Sequence, residues 1–296
     1  MTDHYLTSIN ARIESFPALP AIVTKVMTAT ANPQCSANDL MQVILPDQAM
    51  CATILKVANS AFFGIPREVG TIERAVVVLG YEEIKNIVIG KAIFSSFPKM
   101  TKETRHRVGL FWEHTFTCGL AAKIIGEQQH LSPSELFIAG LIHDIGKLAM
   151  FLTFPEQYPI LQELANHPLF DNIAEERKNF TLSHDQVGLQ LAKKWLLPEQ
   201  LVAAIGYHHA PQDAAAFRQY PLIIQVADIL ALMYCSPEIL RPKDVSKIFA
   251  DFLPETSTLW QEIGLNWDDE NLGLWFEGLK RSRQNDQAIL SIFASA

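Results

Sequence analysis

An imidazole and a carboxylate stand side by side in one of the most apolar segments of this chain. His143 and Asp144 lie within residues 136–151, where hydrophobic residues recur with the spacing of a buried helix face. A carboxylate in such surroundings needs a cationic partner, because burying it unpaired is costly. A metal ion is one such partner, and histidine and aspartate are ligands that divalent transition metals bind. A buried ion pair with only a structural role explains the same stretch equally well.

Lys147 adds a third group to this pair. It follows His143 by four residues and Asp144 by three, so on a helix it lies on nearly the same face. Its ammonium could neutralise Asp144 or meet an anionic group resting on a metal. Consecutive helix residues point about 100° apart, so both ligands reach one ion only if that ion lies close to the helix. Gly140 and Gly146 would allow this close approach.

Further metal-competent residues stand on other apolar segments. Each has an ordinary explanation, such as a half-buried core histidine, a first-turn cap, an imidazolium at the negative end of a helix dipole or a buried ion pair. One or two metal ions explain all of them at once, together with His143 and Asp144. These residues are His114, His184, His208, His209 and Asp228.

The elements that must position these residues are predicted to be helices. Helical spacing, capping residues and Pro or Gly breaks recur along the chain, and no segment alternates with period two. The β-branched run at residues 75–79 could form a strand, but the helix signals on both sides favour a helix. We therefore predict an all-α fold. The predicted helices span residues 8–15, 21–27, 39–45, 48–61, 71–79, 81–94, 104–126, 134–153, 158–166, 167 or 171 to 178, 184–196, 199–209, 221–234, 243–252 and 270–281.

Composition and charge narrow the class of protein. Of the 296 residues, 49% are hydrophobic and 19% charged, which is typical of a globular protein. The net charge of −8 argues against a general nucleic-acid binder. The four cysteines form no Cys-x-x-Cys pair, which favours free thiols in a reducing cytoplasm. No signal peptide and no uncharged apolar run of about 18 residues is visible. We expect a soluble cytoplasmic protein that binds neither membrane nor nucleic acid.

The motifs also resemble known families. The order His, His-Asp, Asp resembles the HD superfamily of metal-dependent phosphohydrolases. His143-Asp144-Ile-Gly-Lys147 matches the form common in its HD-GYP cyclic-di-nucleotide phosphodiesterases. Residues 10–235 resemble the HDOD domain, an HD-related output module of bacterial signalling proteins. The segments that carry this second resemblance are Phe16-Pro-Ala-Leu-Pro20, residues 47–64 with Ala58-Asn-Ser-Ala-Phe-Phe-Gly64, Thr71-Ile-Glu-Arg-Ala75 and Leu79-Gly-Tyr81.

The resemblance implies a helical bundle of HD-domain type with an N-terminal helical subdomain. Residues 1–100 would form the N-terminal part of the HDOD domain, 101–235 the metal-binding part and 236–296 a C-terminal helical extension. It implies two divalent transition metal ions, of iron, manganese, zinc or nickel, with Asp144 bridging them and Lys147 offsetting charge on a phosphate. The implied ligands are His114, His143, Asp144 and Asp228 in the four-residue HD pattern, and His184, His208 and His209 for a second metal.

Two departures from the HD-GYP pattern bear on the substrate. After His208 and His209 the chain reads Ala-Pro-Gln-Asp213 and has no Gly-Tyr-Pro element, so cyclic-di-GMP is not indicated. The stretch at residues 153–180 lengthens the gap between Asp144 and His184, and is either a lid or an insertion.

Two kinds of function remain. The first is hydrolysis of a nucleotide-like phosphoester, with Asp144 and Lys147 as the catalytic residues. The second is a non-catalytic signal-output module that binds a signalling protein, with the metal structural or absent. The long N-terminal helical block, which hydrolysis does not need, favours the second function. A third hypothesis is a nucleotide sensor that binds its ligand without turnover.

Overall fold

Helices carry the regular structure in the computed structural model of this chain, which describes residues 2–97, 102–158, 172–235, 254–265, 269–285 and 292–293. No strand forms within these ranges, so the all-α prediction is confirmed. A short 3-10 helix covers Pro211–Asp213. The α-helices are α1 Thr2–Ser15, α2 Ala21–Ala31, α3 Ala37–Ile44, α4 Gln48–Ala58, α5 Ile72–Leu79, α6 Tyr81–Ser96, α7 Lys102–Gln128, α8 Pro133–Ile142, α9 Ile145–Thr153, α10 Asn172–Phe180, α11 His184–Lys194, α12 Glu199–Tyr207, α13 Gln219–Cys235, α14 Pro254–Glu262 and α15 Asp269–Asn285.

The chain divides into two compact units. The larger unit combines Met1–Phe16 with Met100–Lys280, and the smaller unit combines Pro17–Lys99 with Arg281–Ala296. The first helix of the chain thus belongs to the same unit as the helices that carry the predicted metal ligands. The three-part division expected from the sequence stays a prediction.

Side-chain caps start helices of the smaller unit. At α3, Ser36 Oγ accepts a hydrogen bond from the Asp39 N–H at 3.2 Å, and Asp39 Oδ2 accepts one from the Ser36 N–H at 2.9 Å. This reciprocal pair is a capping box, and it satisfies two amides that the helix itself leaves without partners. Asp47 caps α4 in the same sense, accepting from the Met50 N–H at 2.9 Å. The helix predicted over residues 39–45 therefore begins two residues earlier, at Ala37.

The larger unit is built around α7 and the apolar pair α8–α9. Helix α7 packs along α8 and α13, α9 packs against α11, and α11 packs against α12. The core side chains at these contacts include Phe116, Leu141, Ile145, Leu191 and Leu230, all fully buried. Burial of large apolar side chains is the main force that holds such helices together.

The segment predicted as one helix over residues 134–153 is two helices. Helix α8 ends at Ile142 and α9 begins at Ile145, so His143 and Asp144 form the turn between them. Asp144 has backbone angles of φ −97° and ψ 16°, and its carbonyl accepts from the Lys147 N–H at 2.9 Å, three residues on. The sequence interpretation was wrong here because the apolar spacing continues across the turn.

Other predicted elements have no described counterpart. The helix over 243–252 and, apart from Tyr158, the helix over 158–166 lie outside the described residues. The helix predicted to end at residue 178 is α10, which ends at Phe180.

Among the described residues, one segment has the length and composition of a membrane span. It is Pro133–Thr153, which comprises α8, the turn and α9 and has a mean hydropathy of 1.5. In this structure 83% of its most apolar window is buried inside the protein. That burial is typical of the core of a folded domain.

Candidate metal centre

The turn between α8 and α9 positions the first two predicted ligands. His143 and Asp144 are both almost completely buried. The His143 Nδ1–H donates to the Gly140 carbonyl at 2.7 Å, which leaves Nε2 facing Asp144 Oδ2 at 3.3 Å. The two side chains therefore approach each other within the turn, although they belong to consecutive residues. Gly140 and Gly146 serve a different purpose from the predicted one, because both lie against backbone atoms of neighbouring helices.

Two histidines lie next to one oxygen of Asp144, and a third histidine lies beside them. His184 is the first residue of α11, and His208 and His209 directly follow α12. Asp144 Oδ1 lies 3.2 Å from His184 Nε2 and 3.5 Å from His208 Nε2. His184 Nε2 lies 3.4 Å from His208 Nε2 and 3.0 Å from His209 Nε2. We call Asp144, His184, His208 and His209 the first ligand group.

A second ligand group consists of His114, His143 and Asp228. His114 comes from α7 and Asp228 from α13, and His114 Nε2 lies 2.9 Å from Asp228 Oδ1. His143 Nε2 lies 3.7 Å from the same oxygen. Within each group, one possible ligand atom per residue lies within 4.8 Å of all the others. Asp144 belongs to the first group and also faces His143, so its two carboxylate oxygens reach both groups.

All seven predicted ligand residues converge, and Lys147 joins them. Its Nζ lies 2.7 Å from Asp144 Oδ2. The ammonium thus neutralises Asp144 in this structure, which is one of the two roles that the sequence left open. The side chains of Lys147 and Asp228 are 15% and 16% exposed, whereas those of His143, Asp144 and His184 are buried. Solvent therefore reaches this cluster on the Lys147–Asp228 side.

The residues present fit a pair of divalent transition metal ions. A metal–nitrogen bond of about 2.1 Å places neighbouring ligand atoms about 3.0–3.4 Å apart, close to the separations in the first group. The His143 and His208 Nδ1 atoms both face backbone carbonyls, which only accept hydrogen bonds, so Nδ1 carries the proton and Nε2 is free to ligate. His143 Nε2 is buried, and the groups it faces, Asp144 Oδ2 and Asp228 Oδ1, are carboxylate oxygens that cannot donate to it. A cation would satisfy this nitrogen and both carboxylates.

The carboxylates set the charge state of the histidines beside them. Burial alone lowers the pKa of His114, but the hydrogen bond and charge of Asp228 outweigh it and raise that pKa to about 10. Burial also lowers the pKa of His184, but the negative charge of Glu176 outweighs burial and raises the pKa of His184 to about 10. Burial lowers the pKa of His208 and, together with the charges of the other two histidines, holds that of His209 well below its usual value.

The acidic groups have the opposite shift. Burial raises the pKa of Asp144, but His143 and Lys147 outweigh that effect and hold it well below its usual range. For Asp228 the hydrogen bond from His114 outweighs burial and lowers the pKa to about 2. Both carboxylates are therefore ionised at neutral pH and are competent ligands.

We expect metal binding to release protons and to strengthen as the pH rises. With pKa values of about 10, His114 and His184 are protonated in the metal-free protein at neutral pH, and a metal must displace both protons. These raised pKa values stabilise the metal-free fold fully below about pH 6.5 and lose that effect as the pH rises through about 10. The increase in melting temperature caused by metal should thus be larger at pH 9 than at pH 6.5.

Thermal unfolding with and without a chelator measures this difference. Calorimetric titration in buffers of different ionisation enthalpy gives the number of protons released. A metal-induced stabilisation that is the same at both pH values would contradict the expectation.

Sequence reasoning missed one carboxylate of the cluster. Glu176 on α10 is 2% exposed, and its Oε2 lies 2.8 Å from His184 Nδ1. Its neighbourhood, Asn172–Phe180, is a charged helix in which one Glu among several polar residues carries no distinguishing signal. It lies in the stretch 153–180 that the sequence suggested as a lid or an insertion. The described part of that stretch therefore supplies a carboxylate that contacts the predicted ligand His184.

The fold and these residues define an all-helical protein with a His- and Asp-rich candidate metal centre. The profile of the HDOD domain matches residues 16–211, and the chain therefore belongs to the HDOD domain family. The resemblance expected from the sequence is confirmed.

Solved structures and a curated relative are similar to this chain. An HDOD domain protein of unknown function from Geobacter sulfurreducens matches at 22% identity with a TM-score of 0.71, covering 100% of both chains. A provisionally named phosphohydrolase from Shewanella amazonensis SB2B matches at 20% identity and TM-score 0.71, covering 97% of this chain and 98% of its own. At these identities the matches show the fold.

An uncharacterized protein from Treponema pallidum (strain Nichols) is 28% identical over 236 residues. The match covers 76% of this chain and 44% of that protein, so the chain spans less than half of its relative's length.

Proposed function

We propose that this chain is a metal-dependent phosphohydrolase that cleaves a nucleotide-like phosphoester. One observation carries the proposal: seven His and Asp side chains from five segments of the chain converge in two adjoining ligand groups, with Asp144 facing both. Paired divalent ions supply a Lewis acid and an activated water for phosphoester cleavage. The nitrogen-rich ligand set favours iron, manganese, zinc or nickel over calcium.

The residues of the chain have distinct roles in this proposal. Asp144 links the two ligand groups through its two oxygens and so fixes their separation. Lys147 stands at the partly exposed edge, where its ammonium would contact a phosphate oxygen of the substrate and offset its charge. The same edge, with Asp228 and the half-buried His209, is where a substrate would enter.

The comparisons support the proposal at the level of the class. Similar structures from Shewanella amazonensis SB2B carry the names phosphohydrolase and metal-dependent phosphohydrolase, both given provisionally. The ligand residues of this chain give those names a chemical basis here.

A panel of phosphomonoesters and phosphodiesters tests the proposal. The purified protein is loaded separately with Mn²⁺, Fe²⁺, Zn²⁺ and Ni²⁺, and phosphate or nucleotide release is followed for each substrate. We expect turnover with at least one metal and substrate class, and its loss on chelation. A protein that binds stoichiometric metal yet turns over nothing on the panel would contradict hydrolysis.

A second function has its own support. The smaller unit, Pro17–Lys99 with Arg281–Ala296, contains none of the predicted ligands, and its side chains Val77 and Leu45 are 63% and 51% exposed. An output module that binds a signalling protein needs such a surface and does not need turnover. Metal binding without hydrolysis would favour this function, and nucleotide affinity without hydrolysis would favour a sensor.

A further inference from the structure

Glu176 accepts several hydrogen bonds on the side of His184 that faces away from the other members of the first ligand group. Its Oε1 accepts from the Tyr158 hydroxyl at 2.6 Å, and its Oε2 accepts from the His184 backbone N–H at 2.7 Å. The His184 Nδ1 lies 3.0 Å from Oε1 and 2.8 Å from Oε2. The carboxylate therefore hydrogen-bonds to both the backbone and the ring of one predicted ligand, His184.

This carboxylate fixes which nitrogen of His184 keeps its proton when a cation binds. An ionised carboxylate only accepts, so Nδ1 keeps its proton, and Nε2, which faces Asp144 and His209, is the nitrogen that gives up its proton to ligate. A negative charge behind the ring also makes Nε2 a stronger donor to a cation. The ring nitrogens of His143 and His208 face neutral backbone carbonyls instead. Of these three histidines, His184 is the one whose Nδ1 faces a charged group.

Aromatic side chains pack together beside Glu176, starting from its partner Tyr158. Tyr158 contacts Phe180 with ring centroids 5.6 Å apart, and Phe154 stacks on Phe180 at the same separation. Tyr5 of α1 contacts both phenylalanines, at 5.2 and 5.4 Å. Exclusion of water strengthens the interaction between the carboxylate and the imidazole, because the local dielectric is low.

We infer that Glu176 is a positioning residue that orients His184 and holds it in the metal-binding tautomer. The inference rests on the metal centre of the proposed function. It adds to that centre a carboxylate that contacts the non-ligating nitrogen of one ligand. Glu176 touches neither substrate nor metal in this role, and it acts only through His184. The first ligand group depends on it, whereas the second group does not contain His184.

Metal titration of Glu176→Gln tests the inference. A glutamine oxygen at the Oε2 position can still accept from the His184 backbone N–H and from Nδ1–H, but it carries no negative charge. The amide nitrogen takes the Oε1 position, 3.0 Å from Nδ1, and cannot accept there, so the hold on Nδ1–H is weakened. Cobalt(II) titration against a competing chelator should show an affinity about 10- to 100-fold lower for one of the two bound equivalents. Glu176→Asp keeps the charge and should restore part of the affinity.

The matched control is Glu135→Gln. Glu135 is a buried glutamate of α8 that accepts a hydrogen bond from the Tyr220 hydroxyl at 2.5 Å, and no histidine contact is described for it. The Glu135→Gln protein should bind both equivalents of cobalt with the affinity of the wild type. Thermal unfolding of the metal-free variants separates lost stability from lost affinity.

Two outcomes would overturn the inference: wild-type affinity for both equivalents in Glu176→Gln, or no metal binding by the wild type. If Glu176→Gln does not fold, nitrogen-15 NMR of the zinc-loaded wild type decides, because the inference requires the His184 proton on Nδ1 and is wrong if Nε2 carries it. The titration needs no substrate, so an absence of turnover on the panel would count against hydrolysis and leave Glu176 in its role.

Discussion

The Asp144→Asn variant should lose tight metal binding at both ligand groups and, with it, phosphohydrolase activity. Asp144 Oδ1 faces His184 and His208, while Oδ2 faces His143 and Lys147. Asparagine keeps the shape but removes the negative charge. Because loss of an outer-shell partner alone costs about 10- to 100-fold in metal affinity, we expect a loss above about 100-fold here. Turnover on any substrate of the panel should fall by about 10³-fold or more.

The same substitution has a consequence in the metal-free protein. Lys147 loses its buried anion, and removal of one partner of a buried ion pair costs about 3–5 kcal/mol. Denaturant unfolding in the presence of a chelator measures this loss, and elemental analysis measures the metal content.

Asp185→Asn is the matched control for this prediction. Asp185 follows His184, is buried, and has Arg177 at 3.8 Å as its partner instead of a ligand. The metal content of the Asp185→Asn protein should equal that of the wild type. An Asp144→Asn protein that holds metal with wild-type affinity would exclude this carboxylate as a ligand.

The Gly146→Ala variant should be strongly destabilised. A Cβ atom at Gly146 would lie 1.9 Å from the His184 carbonyl oxygen and 2.8 Å from the Gly188 nitrogen. Both are backbone atoms and cannot rotate away, so α9 and α11 must separate. Overpacking costs about 1–3 kcal/mol and sometimes more, and we expect the upper end of that range. His184 would move with α11, so metal affinity should fall as well.

Gly109→Ala provides the control. Gly109 is an exposed residue of α7, and a Cβ atom there would meet nothing within 4 Å. Alanine within a helix is favoured over glycine by about 0.5–1 kcal/mol, so this variant should be as stable as the wild type or more so. Equal midpoints of denaturation for Gly146→Ala and the wild type would show that the two helices need no close approach.

The helices of this chain were largely predictable because their signals are local. Ser36 and Asp39 mark the start of α3, and Gly80 marks the end of α5, through bonds that span only a few residues. The turn at His143 and Asp144 was not predictable from such signals. Its apolar neighbours continue the helical spacing on both sides, and the turn is recognised only from the backbone itself.

The convergence of the seven predicted ligand residues was also within reach of the sequence, since a polar residue in an apolar segment needs a partner wherever the fold places it. Glu176 was not, because its helix is charged throughout and burial alone distinguishes it. From the sequence, Gly146 was expected to leave room for an ion close to the helix. In the structure that room is filled by the His184 backbone, because α11 packs against α9.

By itself, the sequence determined the all-helical class, the family and the residue types that a metal would need. Tertiary structure decided how those residues are grouped: which histidines share Asp144 Oδ1, which share Asp228, and which one stands in front of Glu176. The physical reason is range. Helix formation and capping depend on groups a few residues apart, whereas a ligand group is assembled from residues as distant as His114 and Asp228, and only the packing of their helices sets the distances between them.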